Sequence, residues 1–214
     1  EGTAALVAAA RHARGCHVPF TIEAQLDEGT TLYFRALAGE DVRGALRSTW
    51  QTHEEDTALR MDLAHAFWVS REGDDFLREA WERETSDDLR DVLALALQRH
   101  RIEVNAGVLA TRLAAPRSRF SSLLVAGAQP SLSLLTRPRI LEALRDEEPR
   151  IRAAALLSLA PFEDGTALSP WACAALEGSE AERAAALRVL PIDAVCLREA
   201  ERVDPSLRQR AART

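Results

Sequence analysis

One sequence pattern recurs at a nearly constant interval along this chain of 214 residues. Five similar segments, ALRMDLAHAFW, DLRDVLALALQ, RFSSLLVAGAQ, RIRAAALLSLA and AERAAALRVLP, begin at residues 58, 88, 119, 150 and 181. Their ninth position holds mostly small residues, and their third position is arginine in four of the five. Self-similarity with a fixed period of about 20 to 50 residues is typical of solenoids, in which each unit packs against its neighbours.

Each repeat divides into two predicted helices. In SPWACAALEG, Ser169 suits an N-cap, Pro170 the first helical position and Gly178 the stop, which predicts a second helix. The following SEAE has the form of a capping box that opens the next first helix. We assign repeats to residues 56–86, 87–117, 118–147, 148–178 and 179–203, with a partial repeat at 204–214.

Composition supports an all-α fold. Hydrophobic residues make up 47% of the chain but aromatic residues only 5%, so alanine, leucine and valine fill the core, as in close-packed helices. All 27 basic residues are arginine, which excludes a Schiff-base lysine and a Walker-type phosphate loop. The bias towards arginine and alanine is typical of a GC-rich bacterial genome.

The first 55 residues fit the repeat less well, and we interpret them as a capping region. Apolar residues alternate in HVPFTIEAQL, and a turn-like DEGT precedes LYF. This pattern predicts a β-hairpin or extended insert at 17–37, flanked by helices near 3–14 and 40–52.

The recurrent arginine stands inside otherwise apolar first helices. We expect each arginine to lay its stem against the next repeat and to give its guanidinium to a carboxylate or a carbonyl at a helix end. Ser121 replaces it in one repeat. The structural arginines are Arg60, Arg90, Arg152 and Arg183.

Over residues 56–214 the sequence resembles bacterial HEAT-like repeats of the phycobilin-lyase type. The resemblance lies in the Asp/Glu-Pro entry, the apolar-Arg pair, the Ala/Leu run and the 31-residue period. The segment DPSLRQRAA at 204–212 resembles the opening of a further repeat. This resemblance implies an armadillo-like fold, a right-handed α-solenoid of stacked helix pairs whose second helices line a concave surface.

Neither a cofactor nor a metal is expected. HEAT-like deoxyhypusine hydroxylases bind two irons through several His-Glu pairs, whereas this chain has one such pair, His53-Glu54. Cys16 and His17 are adjacent and would point to opposite faces of a strand, so they do not form a thiolate-base pair.

The cysteines and the hydropathy indicate a reduced, cytoplasmic protein. Cys16, Cys173 and Cys196 are odd in number and widely spaced, which indicates neither a disulfide framework nor a metal site. No run of about 18 apolar residues is present, so we expect no membrane helix.

Charge is segregated along the chain. Residues 72–91 carry nine acids against three arginines, whereas residues 104–141 contain no acid. Opposite charges on successive repeats could attract one another or simply be solvated; alternatively, the basic window binds an acidic protein segment or nucleic-acid phosphate. Its five arginines are Arg112, Arg117, Arg119, Arg137 and Arg139.

The leading functional hypothesis is a non-enzymatic module that binds another protein. Its candidate contacts are Trp81, Trp171, Arg137 and Arg139, because second helices carry them. One alternative is a nucleic-acid-binding protein related to HEAT-like alkylpurine DNA glycosylases, which the net charge of −6 disfavours. The other is a lyase-like HEAT enzyme, which would need a pocket lined by convergent polar groups.

Overall fold

Twelve α-helices and no strand form the described part of the chain, which in this computed structural model comprises residues 27–70, 73–191 and 194–204. The all-α class predicted from composition is therefore confirmed. The helices are α1 (Glu28–Leu37), α2 (Arg43–Thr52), α3 (Thr57–Val69), α4 (Asp74–Arg83), α5 (Asp87–His100), α6 (Ala106–Ala114), α7 (Pro116–Ala126), α8 (Thr136–Ala143), α9 (Pro149–Leu159), α10 (Gly165–Ala175), α11 (Glu180–Val189) and α12 (Val195–Val203).

The chain divides into two compact units, of which unit 1 ends at Ile102 and contains helices α1 to α5. Helix α3 lies at the centre of unit 1, because it packs against both α1 and α5. The shorter helices α2 and α4 pack against the helix that follows each of them. Leu63 and Leu93 fill the core, together with an edge-to-face pair of Trp50 and Phe67 whose ring centroids lie 5.4 Å apart.

Unit 2 begins at Glu103 and contains helices α6 to α12, with α9 packed between α7 and α11. Helices α7 and α9 approach closely, since a Cβ on Gly127 would lie 3.2 Å from the Ser158 Cα. The Ser158 hydroxyl lies 2.6 Å from the carbonyl oxygens of Leu123 and Ala154. Gly127 and Ser158 both stand at the ninth position of the repeated segments, so the small residues there permit this close packing.

The helices follow the period of the sequence. The helices that contain the repeated segments are α3, α5, α7, α9 and α11, and they start between 29 and 33 residues apart. Within each unit these helices contact one another in succession: α3 contacts α5, α7 contacts α9, and α9 contacts α11. Such contacts between alternate helices are compatible with stacked helix pairs.

The hairpin predicted at 17–37 is wrong where it can be checked, because Glu28–Leu37 is helix α1; residues 17–26 lie outside the described residues. Asp27 caps this helix by accepting a hydrogen bond from the Thr30 amide at 2.7 Å. The stretch DEGT is thus a helix start rather than a turn. The helix predicted near 40–52 is confirmed as α2.

Two further helix starts can be compared with the sequence. The capping box predicted at 179–182 is confirmed, since Ser179 and Glu182 bond reciprocally at the start of α11. The start predicted at Ser169 and Pro170 is wrong, because α10 begins at Gly165 and encloses Pro170. Asp164 is the actual cap, and its carboxylate accepts from the Thr166 amide at 2.9 Å.

The packing of α1 on α3 gives a direct test. A Cβ on buried Gly29 would lie 2.7 Å from Leu59 Cδ1 and 3.2 Å from the Leu59 carbonyl oxygen. We therefore expect Gly29→Ala to lower the free energy of unfolding by about 1–3 kcal/mol, measured by denaturant titration.

Gly44 is the matched control, because it is exposed in α2 and a Cβ there meets nothing within 4 Å. Gly44→Ala should raise the free energy of unfolding by about 0.5–1 kcal/mol, since alanine favours the helix. Equal effects of the two substitutions would contradict the close packing of α1 on α3.

Candidate functional site

The recurrent arginines of unit 1 bond to the loops that precede their own helices. Arg60, in α3, donates to the Glu54 carbonyl at 3.2 Å, and its Nη2 lies 2.8 Å from a carboxylate oxygen of Glu84. Arg90, in α5, donates to the Glu84 carbonyl at 3.4 Å and pairs with Asp87. Arg60 therefore connects the start of its own helix to the loop before α5.

The same arrangement recurs in unit 2. Arg152, in α9, donates to the Asp146 carbonyl at 2.7 Å and to the Glu182 carboxylate of α11 at 2.8 Å. Arg183, in α11, donates to the Gly178 carbonyl at 2.6 Å. In all four cases the accepting carbonyl lies five or six residues before the arginine, in the turn that ends the preceding helix.

Arg119 makes these contacts in the repeat where Ser121 occupies the arginine position. Arg119 donates to the Leu113 carbonyl at 3.0 Å, six residues before it, and pairs with the Asp146 carboxylate ahead of α9. Ser121 is fully buried and donates to the Ser118 carbonyl at 3.0 Å. The arginine of this repeat is thus displaced by two residues, and Arg119 belongs to the packing rather than to an open basic surface.

Two of the carboxylates that accept from these arginines, Glu182 and Asp146, are held in their charged form. Burial favours a higher pKa for Glu182, but hydrogen bonds from Arg152 and Ser179 outweigh it, and the pKa lies below its ordinary value. Burial acts in the same direction on Asp146, whose pKa is nevertheless lowered by the Glu148 amide and by Arg119. Both pairs are therefore ionic at neutral pH.

Two exposed arginines of the basic window also have carboxylate partners. Arg137 Nε lies 2.6 Å from Glu163, and this hydrogen bond raises the pKa of Arg137 and lowers that of Glu163. Arg139 Nη1 lies 3.0 Å from Glu142, three residues ahead in the sequence. The window is free of acids in sequence, but the fold places acids from beyond residue 141 beside it.

The remaining candidate contacts are placed as follows. Trp81, in α4 of unit 1, is 0% exposed, so its ring lies in the core and offers no surface to a partner. Trp171, in α10, is half-buried, with the Arg145 guanidinium 5.3 Å from its ring centroid. Arg112 lies in α6 and Arg117 at the start of α7.

Two adjacent leucines that the sequence pattern did not single out are strongly exposed. Leu134 is 93% and Leu135 60% exposed, directly before α8. Ser133 fixes this turn, because its hydroxyl accepts from the amides of Leu135 and Thr136 at 3.2 Å. The signal in the sequence is SLSLL, where leucines stand among turn-forming serines, outside any helical period.

Two open clefts contain arginine-carboxylate pairs. A cleft of about 450 Å³ in unit 1 is lined by Trp50, Arg60 and Glu84, among others. A second, of about 320 Å³ in unit 2, is lined by Arg152, Glu182 and Trp171, among others. In each cleft the guanidinium and the carboxylate engage each other.

The histidines of the described chain bond to backbone carbonyls. Ring nitrogens of His53, His65 and His100 lie between 2.8 and 3.1 Å from carbonyl oxygens of Thr49, Met61 and Phe67 respectively. Within the described ranges, no three His, Cys, Asp or Glu side chains are grouped to hold a metal ion. Cys16 and His17 lie outside these ranges.

Two cysteines form a disulfide, so the expectation of free thiols is wrong for this pair. Cys173 of α10 and Cys196 of α12 are joined, with their Cα atoms 5.7 Å apart. They are 23 residues apart in sequence and match no short cysteine motif. Only the packing of two separate helices brings them together.

Among the described residues, none of the helices has the length and hydropathy needed to cross a bilayer. Comparison of the chain with protein-family models, with curated proteins and with solved structures gives no match.

The arginine contacts predict a large difference between two substitutions. Arg152→Met keeps most of the apolar stem but leaves the Glu182 carboxylate, 7% exposed, without its guanidinium. We expect a loss of about 2–3 kcal/mol in the free energy of unfolding, measured by denaturant titration.

Arg139→Met serves as the control, since Arg139 and Glu142 are 49% and 64% exposed. Its effect should stay within about 0.5 kcal/mol. A loss for Arg152→Met no larger than that for Arg139→Met would show that the buried pair has no structural role.

Proposed function

We propose that this protein is a non-enzymatic interaction module: a HEAT-like α-solenoid that presents a fixed surface to another protein in a bacterial assembly. Two features support this function. The helices recur with the period of the repeats, and in each of the two clefts described above an arginine and a carboxylate are already engaged with each other. An enzyme needs such groups directed at a substrate.

The observation that carries the proposal is the exposed pair Leu134 and Leu135, followed by Arg137 and Arg139 at the start of α8. A fixed turn keeps these two adjacent leucines exposed to solvent. A partner protein that binds here can bury their apolar surface. Arg137 and Arg139, each about half exposed, follow the leucines within four residues. The partner surface that fits is an apolar pocket with a polar rim.

The arginine pairs favour a protein partner over nucleic acid. A phosphate would have to share Arg137 with Glu163 and Arg139 with Glu142, and each carboxylate would repel it. Arg119 is engaged with Asp146 and with backbone carbonyls, so it contributes to the fold instead. Counterion release would therefore yield less free energy here than at an unpaired basic patch.

The cytoplasmic location stays a prediction. The Cys173–Cys196 disulfide bears on it, because disulfides in a reducing cytoplasm are transient or redox-sensing, whereas exported proteins keep permanent ones. No cofactor enters the proposed function.

The proposal is tested with a Leu134→Ser/Leu135→Ser variant. Wild type is immobilised, a bound protein from native lysate is identified by mass spectrometry, and the purified partner is titrated calorimetrically. We expect the double variant to raise Kd at least about tenfold, because the apolar anchors are lost.

Leu95→Ser is the matched control, as Leu95 is a leucine of unit 1 that is 40% exposed. It should leave Kd within about twofold. An unchanged Kd in the double variant would refute the leucine surface. Salt-sensitive DNA binding that Arg137→Ser/Arg139→Ser abolishes and the leucine variant retains would establish nucleic acid as the ligand instead.

A further inference from the structure

Helix α12 is attached to the rest of unit 2 by few contacts of its own. It has nine residues, and among its side chains that the structure describes only Leu197 is buried, at 1% exposure. Helix α6 has the same length but buries both Leu109 and Leu113. A helix this short is unstable in water without packing, so α12 depends on what holds it in place.

The Cys173–Cys196 disulfide supplies that attachment, because it joins α12 covalently to α10. On the α10 side the bond is well supported, since Leu168 and Ala172 of that helix are buried. On the α12 side, the residue before Cys196 is Val195, which is 62% exposed and therefore only loosely packed. The two ends of the bond therefore differ in how firmly the surrounding helix is packed.

Both cysteines are half-buried rather than enclosed in the core. A sulfur near the surface can be reached by the thiolate of a reductant, whereas a disulfide deep in a core is protected until the protein opens. The pair thus combines accessibility with a short helix that relies on the bond.

We infer that Cys173–Cys196 is a reversible redox modification site whose substrate is a dithiol reductant, and that its reduction releases α12 from α10. A thiolate of the reductant attacks one sulfur and forms a mixed disulfide, and the other cysteine leaves as a thiolate. The second thiol of the reductant then resolves the mixed disulfide. The reductant ends as a disulfide, and the protein carries two thiols.

Release of α12 separates Cys196 from Cys173 and exposes Leu197 to water. The redox state of one bond therefore decides whether α12 stays packed against the described part of unit 2. The site is independent of the leucine surface before α8, and it operates whether or not that surface has a partner.

The test uses the full chain, oxidised in air and then either left oxidised or treated with dithiothreitol. Thiol titration in guanidinium chloride should count one thiol per oxidised chain and three per reduced chain, since the chain has three cysteines. Hydrogen exchange of the α12 amides should accelerate at least about tenfold on reduction, while α7 and α9 change by less than about twofold.

A Cys173→Ser/Cys196→Ser variant should exchange like the reduced protein with or without dithiothreitol. Three thiols in the air-oxidised chain would overturn the site. Unchanged exchange of α12 after complete reduction would overturn its release, and so would an equal acceleration in α7 and α9, which would report general destabilisation. A bond that dithiothreitol reduces only after the protein is unfolded in guanidinium chloride would be a protected structural disulfide, which contradicts a reversible site.

Discussion

The turns between helices in this protein depend on one type of hydrogen bond, from an arginine to the carbonyl oxygen five or six residues before it. Carbonyls at the end of a helix and in the turn that follows it have no partner in the helical ladder, and such a carbonyl is costly where it is buried without a partner. Arg60, Arg152 and Arg119 donate to such a carbonyl and also contact a carboxylate near the start of the next first helix. One side chain thereby joins three successive segments of the chain.

Only arginine suits this role. Its guanidinium carries five donors in a fixed plane, so it can serve a carbonyl and a carboxylate together, whereas the ammonium group of lysine is a more strongly hydrated point charge. Removing both charges from water costs free energy, which the attraction between the charges must offset. We therefore infer that these ion pairs fix the register of the helices more than they add to net stability. The apolar packing of first helices, close at Gly127 and Ser158, provides the stabilising area.

The sequence predicted those parts of the structure that depend on local pattern. Low aromatic content indicated helices, and the Ser179–Glu182 capping box was evident from four residues. The sequence misled where one pattern serves two structures, as when DEGT, a frequent turn, proved to be the start of α1. It was uninformative where tertiary packing decides: the partners of Arg137 and Arg139, the displacement of the arginine from position 121 to Arg119, and the pairing of Cys173 with Cys196.

An arginine joins successive repeats even where the repeated position lacks one. This can be measured in a double-mutant cycle with Arg119→Met and Asp146→Asn, followed by denaturant unfolding. We predict a coupling free energy of about 1–3 kcal/mol, because the two side chains bond to each other and both are largely buried. Additive effects, with coupling indistinguishable from zero, would show that Arg119 does not act through Asp146 and that this arginine does not join the two repeats.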